Sequence, residues 1–156
     1  MSNGTKVKKR DGRIEPLDLD KMHLMVEEAC QGLAGVSASQ VEMKSGIQFY
    51  DGITTAEIQE ILIKAASDLI DLDHPNYQFV AARLLLFSLR KSLYGKMREL
   101  PHLENHVNDC VGKQVYDPDI YTKYSKEEIE KANSFIDHNR DFLFTYAGLR
   151  QVVDKY

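Results

Sequence analysis

The stretch TKVKKRDGRIEPLDLDKM, residues 5–22, determines the first structural element of the chain and concentrates its positive charge. Five cations fall within eight residues: Lys6, Lys8, Lys9, Arg10 and Arg13. The dipeptide Asp11-Gly12, which is favoured in tight turns, separates residues 5–10 from residues 13–17. The stretch therefore predicts a basic β-hairpin.

This basic hairpin contrasts with the whole chain, which has 20 Lys and Arg against 24 Asp and Glu and a net charge of −4. Strand alternation would put Val7 and Lys9 on one face, and Lys8 and Arg10 on the other, so burying either face requires a partner for a charge. No aromatic residues interleave with these cations for stacking on bases. We therefore expect a small polyanion rather than nucleic acid, with a merely solvated arm as the alternative.

Length and composition limit the class of protein. The 156 residues and 17.8 kDa correspond to one domain, or to one domain plus an attachment. No apolar stretch reaches the roughly 20 residues of a membrane span, and the start lacks the apolar core of a signal peptide, so we expect a cytoplasmic protein without a membrane partner. The two cysteines, Cys30 and Cys110, form no Cys-x-x-Cys motif, which argues against a disulfide framework or a zinc ribbon.

Helical periodicity follows the hairpin and predicts a mainly α fold with a small N-terminal β-hairpin. Asp18 or Asp20 can cap a first helix of about 13 residues. A second helix is expected from Ser37 or Ser39 to Phe49.

Two more helices complete the predicted four-helix unit. Thr54 and Glu57 have the spacing of a capping box and start the third helix. Pro75 opens the fourth, whose apolar residues surround its axis, so we expect it to be the most buried helix, ending near Gly95.

The pattern weakens beyond this unit. Helices are expected over residues 102–111 and after a cap formed by Ser125 and Glu128. Residues 140–149 are rich in aromatic and apolar side chains, for which the chain offers no full core. We therefore divide the chain into a first domain at residues 1–95 and, at residues 96–156, a helical linker that begins a larger domain.

The hairpin and the starts of two helices gather the ingredients of a phosphate site. Lys21 adds a cation in the first turn of the first helix, and Thr55 adds a hydroxyl beside the N–H groups that begin the third. Glu15 and Asp18 supply acceptors that suit an exocyclic amine. Neither a Walker A loop nor a Rossmann glycine motif is present, so spacing alone does not identify a nucleotide.

Three groups of motifs resemble the ATP-cone, the regulatory nucleotide-binding module of ribonucleotide reductases. They are VKKRDG with Glu15 and LDKM between residues 7 and 22, YDGITT at residues 50–55, and YQFVAARL at residues 77–84. In addition, IDHNRD at residues 136–141, with Phe144, Tyr146 and Ala147, is similar to the segment that leads into the catalytic barrel of the large subunit of aerobic class I reductases. The resemblance covers nearly the whole chain and implies an N-terminal region of that subunit, in its bacterial or phage form.

The resemblance also implies roles for individual residues. The triphosphate would be held by Lys9, Arg10, Lys91 and the helix that Thr55 opens. The adenine and sugar would lie against Val7, Glu15, Asp18, Lys21 and Met22. Gln59 stands where relatives often carry His or Asp, at a position associated with distinguishing ATP from dATP. Asp18 stands where close relatives commonly have Asn. The expected effector is ATP or dATP, with Mg²⁺.

The function implied by the resemblance is allosteric regulation of the reduction of ribonucleotides to deoxyribonucleotides. ATP would activate and dATP would inhibit, through self-association of the large subunit and contacts with the small radical-generating subunit. The reaction in this family needs a thiyl-forming cysteine and a redox pair of cysteines, which Cys30 and Cys110 cannot supply. We therefore expect no catalytic residue here; the chain would act as part of an oxidoreductase.

Three alternatives stay open at this point. The chain could be a stand-alone cone-type nucleotide sensor, or a helical interaction module whose hairpin docks on an acidic surface. His102, His106 and Cys110 recur at every fourth position, so two of them could share a metal on one helix stripe. An ordinary linker helix is the simpler interpretation, and no metal site is expected.

Overall fold

The computed structural model describes residues 4–46 and 48–156. The chain divides into two compact units, one formed by the residues up to Leu89 together with Phe142–Tyr156, and the other by Arg90–Asp141. Helices dominate both units, and the β-structure lies near the N-terminus, which confirms the expected fold class. The domain boundary at residue 95 remains a prediction.

A three-stranded sheet opens the first unit. Strands β1 (Lys6–Lys8) and β2 (Ile14–Pro16) pair antiparallel, which confirms the hairpin. Strand β3 (Ile53–Thr54) pairs parallel with the other edge of β1. This third strand was not predicted, because two residues are too few to show alternation.

The hairpin loop is one residue longer than the predicted Asp11-Gly12 turn. The Lys9 N–H donates to the Arg13 carbonyl at 2.8 Å, and the Gly12 N–H donates to the Lys9 carbonyl at 3.0 Å. Gly12 has a φ of +86°, the left-handed conformation that closes three-residue hairpin loops and that glycine adopts without steric cost. Lys9 and Arg13 therefore face each other across the loop.

Four helices follow in the first part of the chain: α1 (Leu19–Cys30), α2 (Ala38–Gly46), α3 (Thr55–Ser67) and α4 (Tyr77–Tyr94). Asp18 caps α1, and the capping box of Thr54 and Glu57 starts α3, as predicted. Helix α2 ends before the predicted Phe49, because the N–H of Gln48 donates to the carbonyl three residues before it and forms a turn. Similar turn bonds follow Pro75, so α4 begins two residues later than expected.

Burial confirms that α4 is the central helix of the first unit. Its buried side chains there are Tyr77, Val80, Ala81, Ala82, Leu84, Leu85, Leu86 and Phe87. Helix α3 adds Ile58, Leu62, Ile63, Ala65 and Ala66 to the same core. Each large apolar side chain buried in this way stabilises the fold by roughly 1.5–3 kcal/mol.

The last segment of the chain also belongs to this unit. The Phe142 ring lies edge-on to the Phe87 ring, with centroids 6.2 Å apart. Helix α8 (Tyr146–Lys155) buries Leu149, and Arg150 lies 3.4 Å from the Glu60 carboxylate of α3. Part of the aromatic C-terminal segment therefore packs inside the chain, while Leu143 and Phe144 stay exposed, so the segment has a partial core where no full core was expected.

The second unit contains α5 (Leu103–Gly112), α6 (Ile120–Lys123) and α7 (Lys126–Ser134); a 3-10 helix, His138–Leu143, follows α7. Ser125 and Glu128 form the predicted capping box of α7. The Arg90 guanidinium is buried and lies 2.8 Å from the Asp141 carboxylate. In the described part of the chain, no helix is both long enough and apolar enough to cross a membrane.

Of the three residues considered as metal ligands, His106 and Cys110 stay in contact, whereas His102 has a separate partner. His102 caps α5 and lies 3.1 Å from the Glu130 carboxylate, whereas His106 Nε2 lies 3.6 Å from Cys110 Sγ. Across residues 4–46 and 48–156, no three His, Cys, Asp or Glu side chains converge on a possible metal position.

Candidate functional site

The sheet brings the cationic hairpin beside the first turn of α3. Val7, at the centre of β1, is 2% exposed and lies opposite Glu15 of β2 and opposite Ile53 of β3. Because β3 runs directly into α3, Thr55 starts that helix next to β1. Parallel pairing of two short strands therefore unites residues that are far apart in the sequence.

The turn at residues 50–52 fixes this arrangement. The Lys6 N–H donates to Asp51 Oδ1 at 2.8 Å, and the Gly52 N–H donates to the Lys6 carbonyl at 2.9 Å. Gly52 has a φ of +86°, a conformation that glycine adopts without steric cost. The aspartate side chain and the turn backbone thus hold β1 against the chain that enters α3.

The hairpin tip carries cations held by acidic neighbours. Glu15 lies 3.4 Å from Lys9 Nζ and 3.2 Å from the Arg13 guanidinium. The Arg13 N–H and guanidinium hold the pKa of Asp11 below its ordinary value. Exposed ion pairs of this kind contribute only about 0–1 kcal/mol, so a polyanion can draw Lys9 away from Glu15 at low cost. Arg10 is exposed at the same tip.

The start of α1 places three of the predicted residues in one turn. The Lys21 N–H donates to Asp18 Oδ1 at 3.0 Å, and Lys21 Nζ lies 3.7 Å from Asp18 Oδ2. Met22 follows and is half-buried. A carboxylate has about four lone-pair sites, so Asp18 can cap the helix and still accept a hydrogen bond from a ligand amine.

Gln59 is the most unusual polar side chain near the start of α3. It lies one turn after Thr55, is 5% exposed, and its buried Nε2 has no hydrogen-bond partner among the described residues. A buried donor without a partner costs about 1–3 kcal/mol. The amide is therefore suited to a ligand that brings a hydrogen-bond acceptor.

Nine of the ten predicted site residues lie on the hairpin or in the first two turns of α1 and α3: Val7, Lys9, Arg10, Glu15, Asp18, Lys21, Met22, Thr55 and Gln59. Lys91 lies in the last turn of α4 and belongs to the second unit. Its participation remains a prediction.

The hydrogen bond between Tyr50 and Glu57 was not predicted from the sequence. The Tyr50 hydroxyl donates to Glu57 Oε1 at 2.9 Å. The Thr54 hydroxyl and N–H, followed by the Tyr50 hydroxyl, hold the pKa of Glu57 below its ordinary value. The same bond to Glu57 raises the pKa of Tyr50. The capping-box spacing indicated Glu57, but no spacing rule connects it to a tyrosine seven residues earlier.

Comparison with known proteins agrees with the motifs. The family described as the ATP cone domain matches residues 5–92. The chain is 48% identical over 156 residues to "Ribonucleoside-diphosphate reductase 1 subunit alpha" of Escherichia coli (strain K12), covering all of this chain and 20% of that protein. It is 40% identical over 150 residues to "Ribonucleoside-diphosphate reductase subunit alpha" of Enterobacteria phage T4, covering 95% of this chain and 19% of that protein.

The chain thus spans about a fifth of the length of these relatives. The resemblance to ATP-cones and to bacterial and phage reductase large subunits is confirmed. Since the family matches more than half of its length, the chain belongs to the ATP cone domain family.

Proposed function

We propose that the chain binds ATP and dATP at the hairpin and the adjoining helix starts, and that it regulates the activity of a ribonucleoside-diphosphate reductase large subunit. The observation that carries this proposal is the buried Gln59 amide, which lacks a partner in the described structure and lies one turn from Thr55. A ligand with phosphate charge for the hairpin and an acceptor for Gln59 satisfies both features. Family membership and the relatives support the same assignment.

The residues divide by chemistry. Lys9 and Arg10, joined by Lys91, would neutralise the triphosphate, and the N-terminus of α3 would face the same charge. Mg²⁺ would accompany the phosphates. Val7 and Met22 would provide apolar contacts to the adenine and sugar.

Polar recognition of the nucleoside would come from Glu15, Asp18 and Lys21. Either carboxylate can accept a hydrogen bond from the exocyclic amine of adenine. Lys21 is 77% exposed in its side chain, so it can reorient toward a ligand without losing packing.

Regulation requires that ATP and dATP favour different assemblies. The two nucleotides differ by one hydroxyl, and a coupling of about 1–3 kcal/mol between effector and assembly is typical. In this proposal Gln59 contributes to that distinction, and the assemblies involve self-association of the large subunit and its small radical-generating partner, in the cytoplasm. Cys30 and Cys110 are free thiols, and two cysteines cannot supply both a thiyl-forming cysteine and a redox pair, so neither is assigned to catalysis.

Calorimetric titration of the chain with MgATP and MgdATP tests the proposal. Both nucleotides should bind, and Lys9→Ala should weaken both by about 10–100-fold, the effect of removing one charge-assisted hydrogen bond. Lys8→Ala is the matched control, because Lys8 is the adjacent exposed lysine on the opposite strand face. A folded chain that binds neither nucleotide would contradict the proposal and favour the helical interaction module.

A further inference from the structure

We propose that Tyr50 is a positioning residue of the nucleotide site, acting through Glu57 on the first turn of α3. This inference rests on the proposed function. Tyr50 is outside the helix, yet its hydroxyl donates to Glu57 Oε1 at 2.9 Å. The bond joins the turn that holds β1 to the capping box that begins α3.

The two oxygens of Glu57 have different partners. Oε2 accepts the Thr54 N–H at 2.8 Å and the Thr54 hydroxyl at 2.7 Å, while the Glu57 N–H donates back to Thr54 Oγ1 at 3.1 Å. Oε1 accepts from Tyr50. With a donor on each oxygen, the plane of the carboxylate is fixed relative to the first turn of α3.

This orientation matters for a polyanion. A helix N-terminus attracts phosphate, but a carboxylate in the same turn repels it. Donors on both oxygens disperse the charge of Glu57 and hold it on the side of Tyr50. Without the Tyr50 hydroxyl, Oε1 loses its donor, and the carboxylate, then held by Thr54 at Oε2, presents more negative charge to a polyanion at this helix start.

The backbone around Tyr50 also helps to position β1. The Ile53 N–H donates to the Tyr50 carbonyl at 3.2 Å, and the adjacent Asp51 accepts the Lys6 N–H. Tyr50 is 53% exposed, so it contributes little to the core. Removing its hydroxyl leaves the turn backbone and the packing in place.

Tyr50→Phe isolates this effect because it deletes a single oxygen. We expect calorimetry to show ATP and dATP binding about 3–10-fold weaker, the effect of one hydrogen bond, with the thermal midpoint within about 2 °C of the original. Tyr124→Phe is the matched control, since Tyr124 is 55% exposed and lies in the second unit. It should leave both measurements unchanged.

Glu57→Gln tests whether Tyr50 acts through Glu57. In that background Tyr50→Phe should weaken ATP binding by no more than twofold, a non-additive result. In the otherwise native chain, Tyr50→Phe should also raise the pKa of Glu57 in a ¹³C NMR titration, because one donor to its carboxylate is lost.

Two results would overturn the inference while leaving the proposed function standing. One is ATP binding that Tyr50→Phe does not change; the other is an effect of Tyr50→Phe that adds fully to that of Glu57→Gln. An original chain that binds no nucleotide would overturn the proposed function, and the inference with it.

Discussion

The chain uses the same capping box twice, at the start of α3 and at the start of α7, with nearly identical geometry. Thr54 donates its N–H to Glu57 at 2.8 Å and receives the Glu57 N–H at 3.1 Å. Ser125 donates its N–H to Glu128 at 2.8 Å and receives the Glu128 N–H at 3.2 Å. The local motif therefore begins both helices in the same way.

The surroundings of the two boxes differ. Helix α3 is entered from a paired strand and buries six residues, whereas α7 is entered from a loop and, in its described residues, buries Ile129 alone. Tyr50 adds a donor from outside the helix to the first box. A capping box therefore determines where a helix begins, while the neighbouring elements determine the surroundings of its N-terminus.

The largest difference between the two helices should appear in their buried residues. Leu62→Ala in α3, at a fully buried position, should lower the free energy of unfolding by about 3 kcal/mol through lost burial and a cavity. Ile129→Ala in α7, at a site that is 7% exposed, should cost about 2 kcal/mol. Urea unfolding followed by circular dichroism measures both free energies. A smaller loss for Leu62→Ala than for Ile129→Ala would contradict this expectation.

Replacing the N-cap residues should produce a smaller difference in unfolding free energy between the two helices. Thr54→Ala should cost about 1–2 kcal/mol, because the hydroxyl serves both as acceptor for the helix and as donor to Glu57. Ser125→Ala should cost about 0.5–1 kcal/mol, at the lower end for helix caps. Thr54→Ser and Ser125→Thr retain a hydroxyl and serve as controls in the same urea series. Equal losses for the two alanine variants would show that the strand and Tyr50 add nothing to the first box.

The fold was predictable from sequence where the determinants are local. The cap of Asp18, both capping boxes, the apolar circumference of α4 and the stop at Gly95 follow from spacings within a few residues. Strand β3 was not predicted, because its pairing with β1 defines it and its own two residues show no pattern.

The residues of the candidate site could be predicted from the sequence, but the contacts that hold them in place could not. Charge and the family motifs indicated the hairpin and the helix starts, yet the pairing of β3 with β1 and the bond between Tyr50 and Glu57 depend on tertiary structure. No periodicity encodes such contacts. The participation of Lys91, which belongs to the second unit, stays a prediction.

The smallest expected effect is the loss of the stability contribution of Glu57 at low pH. The donors on Glu57 lower its pKa in the folded chain, so its contribution to stability is complete above the ordinary value near 4.3 and is lost as the pH falls through the lower folded value. A ¹³C NMR titration should give a midpoint below the ordinary pKa of a glutamate, and Thr54→Ala should raise that midpoint more than Tyr50→Phe, because the Thr54 hydroxyl is the strongest donor. A midpoint at or above the ordinary pKa of a glutamate in the original chain would contradict this prediction.

The membership of Phe142–Tyr156 in the first unit has a consequence for the timing of folding. The 52 residues of Arg90–Asp141 separate this segment from the rest of its unit. A ribosome that adds 5–20 residues per second needs about 3–10 s to synthesise that interval. During these seconds Phe87 lacks its aromatic neighbour and Glu60 lacks Arg150, so the nascent first unit has part of its surface uncovered and completes its packing only when α8 follows.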